Sequence, residues 1–254
     1  MSIFKDSILN IGAKIKQLLP TQPCVLCGNM SSNGLWCEPC DAAMPYLDMP
    51  LCPVCALPTP CGEVCGHCLQ TPPAYRHTQA SFGYQFPVDR LIQAMKYQEQ
   101  LALPGIFAEK LLARIEKTHL PDYLIPMPLH PAKLKRRGFN QALLIAKPLA
   151  KALNIPLLSN ACHRLRDTPS QTDLPWSERS KNVKDAFSCE MDLTGKHIAL
   201  IDDVITTGAS LNELARAVQN CGAADIRAWV VARTLPRQPQ QHENSPGYTP
   251  PNSG

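Results

Sequence analysis

Two sets of residues have the types and spacings that chemistry needs, and the first is built from cysteine. Cys24, Cys27, Cys37 and Cys40 form C-x2-C-x9-C-x2-C, and Cys52, Cys55, Cys65 and Cys68 repeat that pattern 28 residues further on. A C-x2-C turn puts two thiolates on one side of an ion. Two such turns close the tetrahedral shell that Zn2+ prefers and leave no open position for a substrate. The repeat therefore predicts two structural zinc ions in two copies of one metal-folded unit. Spacing leaves the pairing open between one ion per consecutive four cysteines and a cross-braced exchange of pairs. Cys61 and His67 fall outside either scheme. A redox C-x2-C would need a strand–helix context that this stretch lacks.

The second set is Asp202-Asp203-Val204-Ile205-Thr206-Thr207-Gly208-Ala209-Ser210. Four apolar residues, Ile198 to Ile201, predict a buried strand with two carboxylates at its carboxyl end. The turn that follows opens a helix, whose first N–H groups and positive dipole end suit a phosphate. Hydroxyls of Thr206, Thr207 and Ser210 add donors, and Gly208 lets the backbone approach closely. Asp202 and Asp203 suit the vicinal hydroxyls of a ribose, directly or through a divalent ion. The Gly-Lys-Ser/Thr ending of a Walker A loop is missing.

Charge adds a third candidate. The net charge is only +4, yet no acidic residue lies between Asp122 and Asp167. That stretch holds Lys133, Lys135, Arg136, Arg137, Lys147, Lys151, Arg164 and Arg166. So one-sided a stretch predicts anion contact: Lys135, Arg136 and Arg137 suit a pyrophosphate and a nucleic-acid backbone equally.

The elements that must position these groups are legible in outline. The 254 residues suffice for one core and a small accessory module. Ile8, Ile11, Ile15 and Leu18 predict an amphipathic helix over 1–20, interrupted by Lys14 and Lys16, so it is not read as a secretory signal. No stretch has the length of a membrane span. Twelve cysteines in a chain read as cytoplasmic are not read first as disulfides, because thiols stay reduced there. Residues 21–70 form the cysteine module, short of apolar periodicity. Ala80 to Phe86 alternate as a strand; Val88, Leu91, Ile92 and Met95 take helical spacing. Strands at Tyr123–Met127, His197–Ile201 and Ile226–Val231, with helices at Gln141–Leu153 and Ala209–Cys221, predict an α/β domain over 75–235 with helices on both faces of a parallel sheet. Phe82, Tyr84 and Tyr97 read as core. Cys162, Cys189 and Cys221 read as isolated packing residues, and 236–254 as a disordered tail.

The Asp-Asp and Thr-Thr-Gly segment resembles the PRPP-binding motif of type I phosphoribosyltransferases. The likeness extends to the ComF family of competence-associated proteins, including its GntX members. It is carried by Met95-Lys96-Tyr97, Pro126-Met127-Pro128-Leu129, Arg136-Arg137-Gly138-Phe139-Asn140-Gln141, Arg179-Ser180-Lys181-Asn182 with Phe187, and the paired cysteine motifs. The resemblance implies a type I phosphoribosyltransferase-like sheet with a zinc module and a role in natural transformation or DNA utilisation. It implies Mg2+ with PRPP, and a pyrophosphate loop at Pro126–Pro131, which here has neither glycine nor charge. Asp202 and Asp203 would hold the ribose, Thr206 to Ser210 the 5′-phosphate. Three readings follow: phosphoribosyl transfer to an unidentified acceptor; a PRPP or nucleotide sensor engaging single-stranded DNA or a competence partner such as a helicase; and an amino-terminal module that only braces the domain. Residues 164–187 read as a mobile cover or as a plain connection.

Overall fold

The computed structural model describes residues 22–31, 35–98, 100–167 and 183–236. The helix expected over 1–20, most of the tail, and Gln171 and Arg179–Asn182 of the proposed cover lie outside the described residues.

In the cysteine-rich region the two repeats fold locally. The first pair of cysteines sits in a hairpin between β1 (Gln22–Pro23) and β2 (Met30–Ser31), which run antiparallel. Cys37 caps α1 (Glu38–Ala42) and Cys65 caps α2 (Gly66–Gln70), so the second pair of each repeat spans the start of a short helix. The remaining elements are β3 (His77–Gly83), α3 (Val88–Tyr97), α4 (Leu103–Leu112), β4 (Tyr123–Pro126), α5 (Pro131–Arg137), α6 (Gln141–Leu153), β5 (Cys162–Arg164), β6 (Phe187–Cys189), β7 (His197–Ile205), α7 (Ala209–Asn220) and β8 (Asp225–Arg233).

Four strands make an all-parallel sheet in the order β3-β8-β7-β4. Its central strands are apolar on both sides, as a doubly covered parallel sheet requires. On β7, Ala199 and Ile201 face α3, α4 and α6, where they meet Ile92, Phe107 and Leu149. Ile198 and Leu200 face the other way, into a cluster with Leu211, Leu214 and Val218 of α7. The four apolar residues of α3 expected on one stripe are all buried. Helix α6 starts where Asn140 accepts from the amides of Ala142 and Leu143 at 2.9 and 3.3 Å, a side-chain cap. The same side chain donates to Met127 O at 3.0 Å, tying the helix to the end of β4.

Strand ends differ from the sequence reading. β7 runs to Ile205, because Asp202, Val204 and Ile205 pair with Val230, Ala232 and Arg233 of β8. The acid pair is thus inside the strand. Tyr84 and Phe86 lie past the end of β3, and Phe86 is exposed.

The cysteine region has little core of its own because it uses that of the sheet. Pro45–Leu47 runs antiparallel along β3: Leu47 N donates to Ser81 O at 3.1 Å, and Gly83 N to Pro45 O at 2.8 Å. This covers an edge that would otherwise stay unpaired. Trp36 packs against Phe107 at a ring separation of 6.2 Å, and Tyr46 against Phe82 at 4.8 Å. Asp41 accepts from Trp36 Nε1 (2.7 Å), Tyr46 OH (2.8 Å) and Lys110 Nζ (2.7 Å).

Candidate functional site

The cysteine sulfurs gather by consecutive fours. Within Cys24, Cys27, Cys37 and Cys40, and again within Cys52, Cys55, Cys65 and Cys68, all four lie within 4.8 Å of one another. Cys27 and Cys37 are 3.6 Å apart and Cys55 and Cys65 3.7 Å. A tetrahedron with Zn–S bonds of about 2.3 Å has edges of about 3.8 Å, so both sets fit a structural zinc ion. This is the sequential pairing, and Cys61 and His67 belong to neither group. Cys162, Cys189 and Cys221 are not isolated: Cys162 faces Cys189 across β5 and β6, and Cys221 Sγ donates to Cys189 O at 3.2 Å. Burial, with Cys189 alongside, pushes Cys162 and Cys221 up, the latter to about 11, which keeps both as neutral thiols.

At the carboxyl end of β7 the chain passes through Thr206 and Thr207, turns at Gly208 and enters α7. A cavity of about 150 Å³ opens here, lined by Tyr84, Lys96, Asp202 to Thr206, Gly208, Ser210 and Leu211. Gly208 is left-handed, with φ +83°, and a Cβ there would stand 2.7 Å from Tyr75 Oη. Gly208→Ala is therefore expected to cost about 1–2 kcal/mol from backbone handedness alone, with the clash added. Chemical denaturation reads the loss, and a variant as stable as the parent would contradict the close approach.

Asp203 forms an ion pair with Lys96, which reaches in from the end of α3. Burial opposes charge on both. For Asp203, Lys96 outweighs that penalty and holds the carboxyl below the usual range; Lys96 is held above its own in return. Asp202 behaves oppositely: burial and the charge of Asp203 drive it well above the carboxylate range. Its Oδ1 accepts from Asp203 N at 2.8 Å. Burial and Lys96 thus push the two carboxyls apart, Asp203 toward the anion and Asp202 toward the acid, an arrangement suited to hydroxyl groups that both donate and accept.

The basic group divides. Lys135, Arg136 and Arg137 sit in the last turn of helix α5. Lys135 and Arg136 are exposed. Arg137 turns toward the acids, where its charge acts on Asp203; it donates to Gln141 Oε1 at 2.6 Å and stacks 5.2 Å over the Tyr97 ring. Arg164 of β5 acts on Asp202, stacks over Phe187, and is held below its usual range by burial. Tyr97 is 71% exposed, against the expectation of a core residue, whereas Phe82 is core.

Residue-type reasoning missed Lys96 as a site residue. The signal was present: Lys96 stands four residues after Ile92 and eight after Val88, so it falls on the apolar stripe of α3, where a charge must find a buried partner. Arg233 and Tyr75 carried no comparable signal.

An acid pair near the end of a central parallel strand, a hydroxyl-rich turn and a helix start define a phosphoribosyltransferase-type domain behind a double cysteine-ribbon module. Family comparison agrees: residues 15–69 match the double zinc ribbon domain and residues 140–246 the phosphoribosyl transferase domain. The DNA utilization protein YhgH of Escherichia coli K12 is 34% identical over 84% of this chain and 97% of its own. Competence protein F of Haemophilus influenzae is 34% identical over 83% of this chain and 96% of its own. Competence protein ComFC of Bacillus subtilis is 25% identical, covering 83% and 95%. The chain belongs to this ComF/YhgH family. Among the described residues no helix is long and apolar enough to cross a membrane.

Proposed function

We propose that the chain binds a 5-phosphorylated ribose, PRPP or a related ribose phosphate, and that it does so as a cytoplasmic factor in the utilisation or uptake of DNA. The observation that supports this most is one cavity shared by a buried acid pair and the start of α7. The N–H groups after Gly208 and the hydroxyls of Thr206, Thr207 and Ser210 hold the 5′-phosphate. Asp202 and Asp203 hold the ribose hydroxyls. Arg137, and Lys135 and Arg136 beside it, offset charge on a pyrophosphate or a nucleic-acid backbone. The acid pair is a poor Mg2+ site, since Lys96 already neutralises Asp203; an ion accompanying PRPP is left to the ligand's own oxygens. The DNA-related names of the relatives support the role in DNA utilisation or uptake. The exposed Tyr97 ring under Arg137 favours a second reading, contact with single-stranded DNA, because a flat ring beside cations stacks bases.

The deciding experiment is thermal unfolding of the zinc-loaded chain with and without PRPP and Mg2+. The wild type is expected to be stabilised by about 3 kcal/mol at a hundredfold excess over Kd. Asp202→Asn combined with Asp203→Asn is expected to lose that increment. Stabilisation unchanged in the double variant would overturn the ribose assignment.

A further inference from the structure

The second cysteine tetrad and the phosphate loop are joined by two buried side chains. Arg233, at the end of β8, is 3% exposed. Its Nη1 donates to Ile205 O at 3.1 Å and to Thr206 O, the carbonyls at which β7 becomes the loop. Burial holds the guanidinium below its usual range, and Cys55 is the leading anionic group acting against that. Cys55 acts on Arg233 through its charge and as a side-chain hydrogen-bond partner, while Nε is buried with no acceptor at hydrogen-bonding distance among the described residues. Tyr75 is also 3% exposed; its hydroxyl abuts Gly208, and the charges of Cys52, Cys55 and Cys68 reach its phenol.

Backbone contacts reinforce the link. The turn between Cys52 and Cys55 is clamped to β3, where Thr78 N donates to Pro53 O at 2.8 Å and Thr78 Oγ1 to Val54 O at 2.5 Å. Ala74 N donates to Asn212 Oδ1 at 2.7 Å, on the first turn of α7. The apolar neighbours of this turn, Val54 and Ala56, belong to the cluster that holds Ile205 and Leu211. Cys24 and Cys37 of the first tetrad pack into the cluster on the opposite face of the sheet, with Trp36 and Phe107. Only one tetrad, then, lies behind the loop.

We propose that the second tetrad, loaded with zinc, is the buttress of the phosphate loop, and that Arg233 is the positioning residue that transmits it. Four thiolates around Zn2+ keep a net negative charge, which holds the guanidinium in place while its Nη1 holds the two loop carbonyls. Metal occupancy at Cys52, Cys55, Cys65 and Cys68 then sets the order of residues 204–210. Through that order it sets the affinity for ribose phosphate, a consequence that rests on the function proposed above.

The test is amide hydrogen exchange of the full zinc-loaded chain, paired with titration of ribose 5-phosphate. Cys68→Ser and Arg233→Met are expected to speed exchange at residues 204–210 by about tenfold or more, as loss of two hydrogen bonds to a charged group implies. Cys40→Ser, which loosens the fold as a whole, is expected to speed exchange at residues 204–210 no more than in β7, and Arg233→Lys to recover part of the protection. Arg233→Met is expected to keep its full zinc content. Titration with ribose 5-phosphate is expected to weaken about tenfold in the same two variants. An excess of exchange at residues 204–210 over β7 that is equal for both tetrads, or none from Arg233→Met, would overturn the buttress. Should Cys68→Ser also lose protection in β7, the chain has unfolded and Arg233→Met, with every cysteine intact, decides. A wild type that ignores ribose 5-phosphate would defeat the functional reading, while the exchange rates still decide the buttress.

Discussion

Asp203→Asn and Asp202→Asn are expected to move the unfolding midpoint in opposite directions at pH 7. Asp203 is the buried partner of Lys96. Replacing it leaves an ammonium group with little water and no counter-charge at hydrogen-bonding distance. Breaking a buried pair from one side costs about 3–5 kcal/mol, or roughly 10 °C in a chain of this size. Asp202 is the reverse case, because burial and its neighbour hold its carboxyl protonated when folded. Above about pH 4 the unfolded chain releases that proton and the folded chain keeps it, so stability falls as pH rises. Asparagine removes this loss and keeps the acceptor for Asp203 N. Asp202→Asn is therefore expected to raise the midpoint at pH 7 and to match the wild type near pH 3. The contribution of Asp203, whose carboxyl is held low, is present above about pH 4 and fades as pH falls through its folded value. That of Lys96, held high, is present below about pH 10.4 and fades as pH rises past its folded value. Melting curves from pH 3 to pH 8 separate these effects. Two variants that shift the midpoint in the same direction would show that the proton sits elsewhere.

Much of this arrangement is local in sequence, and that much was readable. A C-x2-C turn is four residues long, so the two zinc units could be seen as motifs. The strand, turn and helix of the phosphate loop are contiguous. Pairing over distance was not readable. Asp203 of β7 meets Lys96 of α3, far away in the chain, and Cys162, Cys189 and Cys221 meet only because β5 and β6 pair in one register beside the end of α7. Strand ends failed for a related reason: Asp202 stays in β7 because β8 continues opposite it, a fact about the neighbour. Helix α5 had a readable signature that residue-type reasoning passed over. Pro131 opens it and Gly138, with φ +82°, follows it, the usual proline-first, glycine-last pattern of a short helix. By residue type its three cations look equivalent; as a helix it directs Arg137 inward and leaves Lys135 and Arg136 in solvent.

Metal extraction is expected to destabilise the parallel-sheet domain as well as the cysteine region. Were the region an appended module, chelation under reducing conditions would melt it alone and leave a separate transition for the sheet. The packing argues otherwise. Trp36, Tyr46 and Met44 fill space against Phe82 and Phe107, and Pro45–Leu47 completes the exposed edge of β3. Asp41 joins Trp36 and Tyr46 to Lys110 of α4. Losing these contacts strips a large aromatic cluster of one wall, and each such aromatic is worth about 3–5 kcal/mol when removed from a core. Zinc sites of this kind contribute about 10–16 kcal/mol of binding energy to folding, comparable with the whole stability of an ordinary domain. Calorimetry of the loaded chain is therefore expected to show one transition with two zinc ions per chain, and the metal-free chain none that matches it. A sheet domain that kept its own sharp transition after both ions were removed would show instead that the aromatic wall is dispensable, and that the zinc ribbons are tethered to the fold without supporting it.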